Sequence, residues 1–228
     1  MATLYIIGTP IGNLEDITFR AIRILKEVDL ILCEDTRVTK RLLEKYSIET
    51  PTMSYHAQSK LSKVEKIFEL LEDGKNIALV SDAGTPCISD PGVLLVAQVL
   101  ERFKDDVLVV PIPGASALVT ALSASGVSVA EFTFLGFLPH KKGKETLFKE
   151  IAESSRVMVF YESTHRIEKT LESLEKFCGA ERHVIVAREI TKIYEEFVRG
   201  SVAGARAHFE KNQDRVRGEF AVIVAPKN

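Results

Sequence analysis

The segment Ile77-Ala-Leu-Val-Ser-Asp-Ala-Gly-Thr-Pro-Cys-Ile-Ser-Asp-Pro-Gly-Val-Leu-Leu-Val-Ala-Gln-Val-Leu100 carries three kinds of sequence in a row. Ile77 to Val80 is a short apolar run of strand type. Ser81 to Pro91 is a loop of small and turn-forming residues, and Gly92 to Arg102 has helical spacing of apolar positions. Strand, loop and helix in this order make one βα unit. Two Pro and two Gly within Val80 to Gly92 exceed what a tight turn needs, although a turn shaped by Gly and Pro alone is the plainer account. In open α/β sheets, ligands bind beyond the carboxyl ends of the strands, where small residues let the backbone come close to a ligand.

The same rhythm repeats on both sides of this unit. Strands are expected at Leu4 to Ile7, Leu30 to Cys33 and Val107 to Val110, and helices at Ile17 to Glu27, Val38 to Tyr46, Ser59 to Glu72 and Ala115 to Ser125. Leu61, Val64, Ile67, Phe68 and Leu71 keep one helical face apolar. Alternating strands and helices predict a mainly parallel sheet covered on both faces. The loops Gly8 to Leu14, Glu34 to Arg37, Ser81 to Gly92 and Pro111 to Ala117 then gather at one sheet edge, which makes that edge the expected site.

Beyond Gly126 the rhythm changes. A Phe-rich strand, Phe132 to Phe137, runs into the basic loop Pro139-His-Lys-Lys-Gly-Lys144. Further strands are expected at Arg156 to Tyr161, His183 to Arg188, Glu195 to Gly200 and Gly218 to Ala225. Helices are expected at Lys144 to Ser154, Arg166 to Phe177 and Val202 to Lys211. Close spacing of the strands around Glu195 implies mixed or antiparallel pairing. The fold class is therefore α/β in two domains, residues 1–118 with a mainly parallel sheet and residues 119–228 with a mixed one.

The 228 residues are 46% hydrophobic and 27% charged, which excludes a disordered chain. Cys33, Cys87 and Cys178 form no CxxC pair, so neither a disulfide framework nor a metal site is expected, and a reducing cytoplasm is the default compartment. Apolar stretches such as Val93 to Leu100 fall short of the roughly 18 residues that span a bilayer, and no signal core follows the N-terminus. A soluble protein without a membrane partner is expected. The net charge of −2 divides into −4 for residues 1–118 and +2 for residues 119–228, so a polyanion would be met locally.

Common nucleotide motifs are absent. Gly8-Thr-Pro-Ile-Gly12 lacks the third Gly of a dinucleotide fingerprint, Gly143-Lys144-Glu145 is no P-loop, and Gly114-Ala-Ser-Ala-Leu118 is no nucleophile elbow. Seven other blocks, however, run in order along nearly the whole chain. They are Ile6 to Leu14, Cys33 to Arg37, Val80 to Pro86 with Ser89 to Gly92, Pro113 to Ala117, Phe134 to Pro139, Tyr161 to Arg166 and Ala187 to Lys192. Together they resemble the tetrapyrrole (corrin/porphyrin) methylase superfamily, in particular its branch that modifies ribosomal RNA.

The resemblance implies a two-domain α/β homodimer that binds S-adenosylmethionine in a trough between its domains. It also implies methylation of a cytidine ribose 2'-hydroxyl in the decoding region of small-subunit rRNA, free or in the 30S subunit. The family's cofactor positions fall here on Pro10 and Ile11, on Ala83, Gly84 and Thr85 with Ile88, on Ser116 and Ala117, on Tyr161 and Glu162, near Ile190, and on the last strand at Glu219. Thr85 stands where the family usually has Asp.

Methyl transfer needs alignment and a group to receive the hydroxyl proton. Asp35 is the first candidate for that group, with Glu189 and His165 as competitors; Glu34 and His56 are further polar residues of the expected cleft. Arg37, Arg166 and Lys192 suit phosphate or the orientation of an acid, and Lys141, Lys142 and Lys144 suit RNA. Plainer roles stand beside these. Asp35 has the position of a helix N-cap, Arg166 that of an ion-pair partner of Glu162, and the basic loop that of a solvated turn. Phe132, Phe134 and Phe137 are expected in the core. A methylase of a small tetrapyrrole and a non-catalytic RNA-binding protein are the rival functions.

Overall fold

The computed structural model describes residues 1–56, 61–89 and 92–227. The predicted helix start at Ser59 and the loop residues Asp90 and Pro91 lie outside them. The chain divides into two compact units, Met1–Ser116 and Ala117–Asn228.

The first unit is built on five parallel strands: β1 (Ala2–Ile7), β2 (Leu30–Cys33), β3 (Thr52–Ser54), β4 (Ile77–Val80) and β5 (Val107–Ile112). Their order across the sheet is β3-β2-β4-β1-β5. Four helices connect them: α1 (Phe19–Glu27), α2 (Thr36–Lys45), α3 (Leu61–Glu72) and α4 (Val93–Phe103). Because strand side chains alternate, each strand feeds two cores. Leu4, Ile6, Leu32, Ile77 and Leu79 pack with Val64, Ile67 and Phe68 of α3 and Leu95 and Val99 of α4. Ile7, Ile31, Cys33, Ala78 and Val80 pack with Ala21, Ile24 and Leu25 of α1 and Leu42 and Leu43 of α2. Both faces are thus covered, as parallel pairing requires.

Two departures from the sequence reading have local causes. Strand β3 is three residues long, too short to show an alternating pattern, and gains its pairing only from β2. Leu61, expected on the apolar face of α3, is 80% exposed, because it opens the helix ahead of the turn that reaches the sheet.

The second unit has a mixed sheet of β6 (Phe132–Phe137), β7 (Val157–Ser163), β8 (His183–Arg188), β9 (Glu196–Ser201) and β10 (Glu219–Val224), ordered β6-β7-β10-β8-β9. The β6–β7 pair is parallel and the other three pairs are antiparallel. Helices α6 (Lys144–Glu153), α7 (Ile167–Cys178) and α8 (Val202–Lys211) cover one face through Phe148, Ile151, Leu171, Leu174, Ala205 and Phe209. The short helix α5 (Ala117–Ser123) packs against β10.

The expectation that Phe132 and Phe137 are core residues is corrected. They are 40% and 59% exposed, since β6 is an edge strand whose register against β7 shifts between Phe134 and Phe137, with Gly136 at φ +61° inside the shift. Among the described residues, no helix is long and apolar enough to cross a membrane.

Candidate active site

The carboxyl ends of β1, β2, β4 and β5 lie at one edge of the parallel sheet, and the loops that leave them are joined to one another. Gly8 and Gly114 form the tightest point. A Cβ at Gly114 would lie 2.6 Å from the Gly8 carbonyl oxygen, and a Cβ at Gly8 would lie 2.7 Å from the Gly114 Cα. Glycine is needed at both positions for this approach of two backbones.

Thr9 and Gly84 exchange backbone hydrogen bonds of 2.9 and 3.1 Å, and the buried Thr9 hydroxyl donates to the Ser81 carbonyl at 3.1 Å. The Thr85 hydroxyl donates to the Ala115 carbonyl at 3.2 Å. Thr85, in the place of the family's usual Asp, therefore ties the third loop to the fourth. The Asp35 backbone N–H donates to the Asp82 carboxylate at 3.0 Å and ties the second loop to the third. Each such bond contributes about 1 kcal/mol, and together they fix the shape of the rim.

Around this frame Pro10 and Ile11 are buried, Gly84 is buried at φ +83°, Thr85 and Ser116 are half-buried, and Ala83 and Ile88 are exposed. Ala117 is half-buried at the start of α5 in the second unit. Backbone polar groups, small side chains and a few apolar surfaces are the kinds of group that hold a nucleoside-like ligand by shape and by hydrogen bonds to backbone.

Asp35 does serve as an N-cap. Its carboxylate accepts from the Arg37 backbone N–H at 2.8 Å at the start of α2. The same carboxylate accepts the Arg37 guanidinium in fork fashion, Nε at 3.0 Å to Oδ1 and the terminal nitrogen at 2.6 Å to Oδ2. The guanidinium and the backbone N–H of Arg37 together hold the Asp35 carboxyl down at about 2. The Arg37 side chain is otherwise open to solvent.

The second unit gathers its own set at one sheet edge, where β6, β7 and β8 end and β10 begins. Glu189 accepts from the Glu219 backbone N–H at 2.9 Å and from Lys192 Nζ at 2.8 Å, and Lys192 donates also to the Glu219 carboxylate at 2.8 Å. Burial pushes the Glu189 carboxyl up, but the Lys192 ammonium and the Glu219 N–H outweigh it and hold the group below its ordinary value. Burial pulls Lys192 down, and the two carboxylates more than offset that and raise it. A Cβ at Gly218 would stand 2.5 Å from the Glu189 carboxyl carbon, so Gly218 makes room for the acid. Thr164 fastens the same edge by donating its hydroxyl to the Gly218 carbonyl at 2.7 Å and accepting the Gly218 N–H at 2.8 Å.

Glu162 and Arg166 form the ion pair that their spacing allows, at 3.2 Å, with the Glu162 side chain fully buried. The other Glu162 partners are the Ser163 N–H and the Thr170 hydroxyl, both at 2.8 Å, and Arg166 also donates to the Leu138 carbonyl at 2.7 Å. These bonds occupy both oxygens of Glu162 and fix Arg166 inside the unit. Tyr161 accepts the Leu118 N–H at 2.9 Å, and the Phe134 and Phe137 rings lie against it. Ile190 is buried, while His165, Lys141 and Lys142 are exposed; Lys144 is half-buried over the Phe148 ring.

The structure thus brings Pro10, Ile11, Ala83, Gly84, Thr85, Ile88, Asp35, Arg37 and Ser116 to the rim of the first unit. It brings Glu162, His165, Arg166, Glu189, Ile190, Lys192 and Glu219 to the edge of the second. Sequence reasoning gave no role to Thr9, Asp82 or Thr164. Their signal is present only as small polar residues inside the quoted blocks, because each acts through a partner at least 47 positions away. Among the described residues, no three His, Cys, Asp or Glu side chains gather in a way that could hold a metal ion.

The chain is similar to known proteins along most of its length. The model of the Tetrapyrrole (Corrin/Porphyrin) Methylases matches residues 3–205. The chain is 48% identical over 230 residues to Ribosomal RNA small subunit methyltransferase I of Bacillus subtilis (strain 168), covering 100% of this chain and 76% of that protein. It is 46% identical over 227 residues to the protein of the same name from Thermotoga maritima, covering 100% of each. Among solved structures, a cobalamin biosynthetic enzyme, cobalt precorrin-4 methyltransferase, superposes with a TM-score of 0.69 at 18% identity, over 98% of this chain and 94% of that one. At that identity the likeness concerns the fold alone.

Proposed function

This chain belongs to the tetrapyrrole (corrin/porphyrin) methylase family, and from that membership we propose that it methylates a cytidine ribose 2'-hydroxyl in the decoding region of small-subunit rRNA. It is a methyltransferase that takes its methyl group from S-adenosylmethionine. The observation that carries the cofactor assignment is the stitched rim of the first unit. Close backbone approach at Gly8 and Gly114, with Pro10, Ile11, Ala83, Thr85 and Ser116 around it, fits a nucleoside-containing cofactor that needs shape and backbone contacts. The rRNA substrate rests on relatives named for rRNA methylation at 46–48% identity.

The cofactor supplies an electrophilic methyl carbon on a sulfonium. As the ribose oxygen bonds to that carbon it gains positive charge, and its proton becomes far more acidic than a carboxylic acid. A carboxylate held at about 2 therefore has enough basicity to accept the proton late in the step, which keeps Asp35 first among the candidates. In this reading Arg37 fixes the orientation of the Asp35 carboxylate and offers its exposed face to a phosphate. Glu189, clamped by Lys192 and Glu219, and the exposed His165 are the competing acceptors. Arg166 acts as a positioning residue for the β7–α7 turn, and Tyr161, Ile190 and Glu219 are offered as further cofactor contacts. Lys141, Lys142 and Lys144 supply attraction to the rRNA backbone. We propose further that the protein works as a homodimer in the cytoplasm.

The test incubates the protein and labelled S-adenosylmethionine with 30S subunits lacking the modification, then maps the label. Label on one cytidine ribose of the decoding region is the expected result. Label on a base, elsewhere in the rRNA, or on a tetrapyrrole instead of RNA would overturn the proposal.

A further inference from the structure

The turn between β8 and β9 has a composition that its geometry does not ask for. The Glu195 N–H donates to the Lys192 carbonyl at 3.1 Å and closes a turn whose two central residues are Ile193 and Tyr194. Such positions favour Gly, Pro, Asn or Asp. Here they hold two large apolar side chains, 95% and 71% exposed.

The turn is also rigid. Glu189 and Thr191 both sit at positive φ, +50° and +68°, a conformation that a β-branched residue adopts only under constraint. Lys192 is clamped between Glu189 and Glu219, the Thr191 N–H donates to the Glu195 carboxylate at 2.6 Å, and Arg188 donates to the Tyr194 and Arg217 carbonyls. A braced, strained turn that presents an aromatic ring to solvent is organised for contact.

Its surroundings indicate what it contacts. The parallel β6–β7 pair sends the basic loop with Lys141 and Lys142 off the same sheet edge, where Arg166 of the β7–α7 turn bonds to the Leu138 carbonyl at the base of that loop. Phe137, also on that edge, is 59% exposed. Exposed aromatic rings and exposed cations spread along one sheet edge form a pattern suited to unpaired nucleotides, with rings stacking on bases and cations neutralising phosphates.

We propose that Tyr194, supported by Ile193, stacks on an unpaired base of the RNA substrate and so sets which nucleotide is presented. The inference rests on the rRNA reading above. It assigns the Tyr194 ring to base stacking and the Lys141–Lys142 loop to phosphate.

The test measures binding of 30S subunits lacking the modification at several salt concentrations, for wild type, Tyr194→Ala, Tyr194→Phe, Tyr194→Leu and Lys141→Ala/Lys142→Ala. Tyr194→Ala is expected to weaken binding about 5- to 100-fold, the loss a single base–aromatic stack gives on truncation. The slope of log K against log salt should stay unchanged. Tyr194→Phe should bind like wild type and Tyr194→Leu like Tyr194→Ala, while the double Lys variant should lower the slope by about 1.5. In turnover, Tyr194→Ala should raise the KM for subunits and leave that for S-adenosylmethionine unaltered. The inference is overturned if Tyr194→Ala binds subunits as wild type does, or if Leu substitutes as well as Phe. It is equally overturned if the Ala variant changes the sedimentation of the protein and not its RNA affinity, which would assign the turn to a second copy. Failure of wild type to methylate small-subunit rRNA would instead strike the functional reading, so the two failures are distinguishable.

Discussion

Replacing Gly114 by Ala tests whether the stitched rim of the first unit is the cofactor site. The added methyl would lie 2.6, 2.7 and 2.8 Å from three backbone atoms of Gly8, about 0.8 Å inside ordinary contact. Neither backbone is free to withdraw. Gly8 donates to the Ile112 carbonyl at 3.2 Å, and the next residue, Thr9, is paired with Gly84 in both directions. Overpacking of this kind costs about 1–3 kcal/mol, and stretching one buried hydrogen bond adds about 1 kcal/mol. A loss of roughly 2–4 kcal/mol should lower the melting temperature by about 5–15 °C.

The functional effect should exceed what stability alone explains, because a displacement near 1 Å in a positioning loop can cost a hundredfold. Calorimetric titration at a temperature where the variant is folded should show S-adenosylmethionine binding weakened by at least about tenfold. Gly74→Ala is the control. Gly74 has φ +79° and nothing within 4 Å of an added Cβ, so Ala there costs about 1–2 kcal/mol of backbone strain with no effect on the rim. If Gly114→Ala keeps cofactor affinity within about twofold of wild type, or if Gly74→Ala weakens it equally, the rim is not the cofactor site and the reasoning fails.

Three further outcomes can be checked. Arg37→Gln should move the Asp35 carboxyl from about 2 toward its ordinary value, seen by carboxyl-carbon NMR titration. Because the folded value is depressed, the stabilisation from this group is present above about pH 4 and is lost as pH falls toward 2 in wild type, whereas in the variant the stabilisation itself shrinks; an unmoved titration would mean that the guanidinium is not the cause. Arg166→Met should cost about 3–5 kcal/mol in denaturant unfolding, since it strands the fully buried Glu162 carboxylate, and Glu162→Gln/Arg166→Met together should cost less than Arg166→Met alone. Additive losses would show that the two residues are not coupled. Gly218→Ala, at φ +107° and 2.5 Å from the Glu189 carboxyl carbon, should displace that acid, cost about 2–4 kcal/mol and lower the Lys192 pKa by removing a partner; an unchanged Lys192 titration would count against the clamp.

The parallel sheet was legible because its signal is local. Ile77 to Val80 is buried on both faces and reads as a continuous apolar run, and the loop after it carries the Gly and Pro of a backbone that must approach something closely. Topology then required the four loops to share an edge, since parallel strands put all their carboxyl ends on one side. The helix-cap role of Asp35 and the Glu162–Arg166 pair were legible for the same reason, as both span four residues or fewer. Strand β3 was not, because three residues carry no period. The exposure of Phe132 and Phe137 was not, because the sequence does not say that β6 lies at an edge.

By itself, then, the sequence determined the class of fold, the order of its elements and the blocks that hold the site. Tertiary structure alone decided the partners and the exposure of those residues. Glu162 and Arg166 read as site residues in the sequence, and the structure adds that they bond to each other, to Thr170 and to the Leu138 carbonyl. Ile193 and Tyr194 looked like nothing and stand exposed on a braced turn. The physical reason is range. Periodicity and capping act over a few residues, whereas Gly8 against Gly114, Thr9 against Gly84 and Gly218 against Glu189 are contacts between segments about 30 to 106 positions apart, which exist only once the strands have aligned.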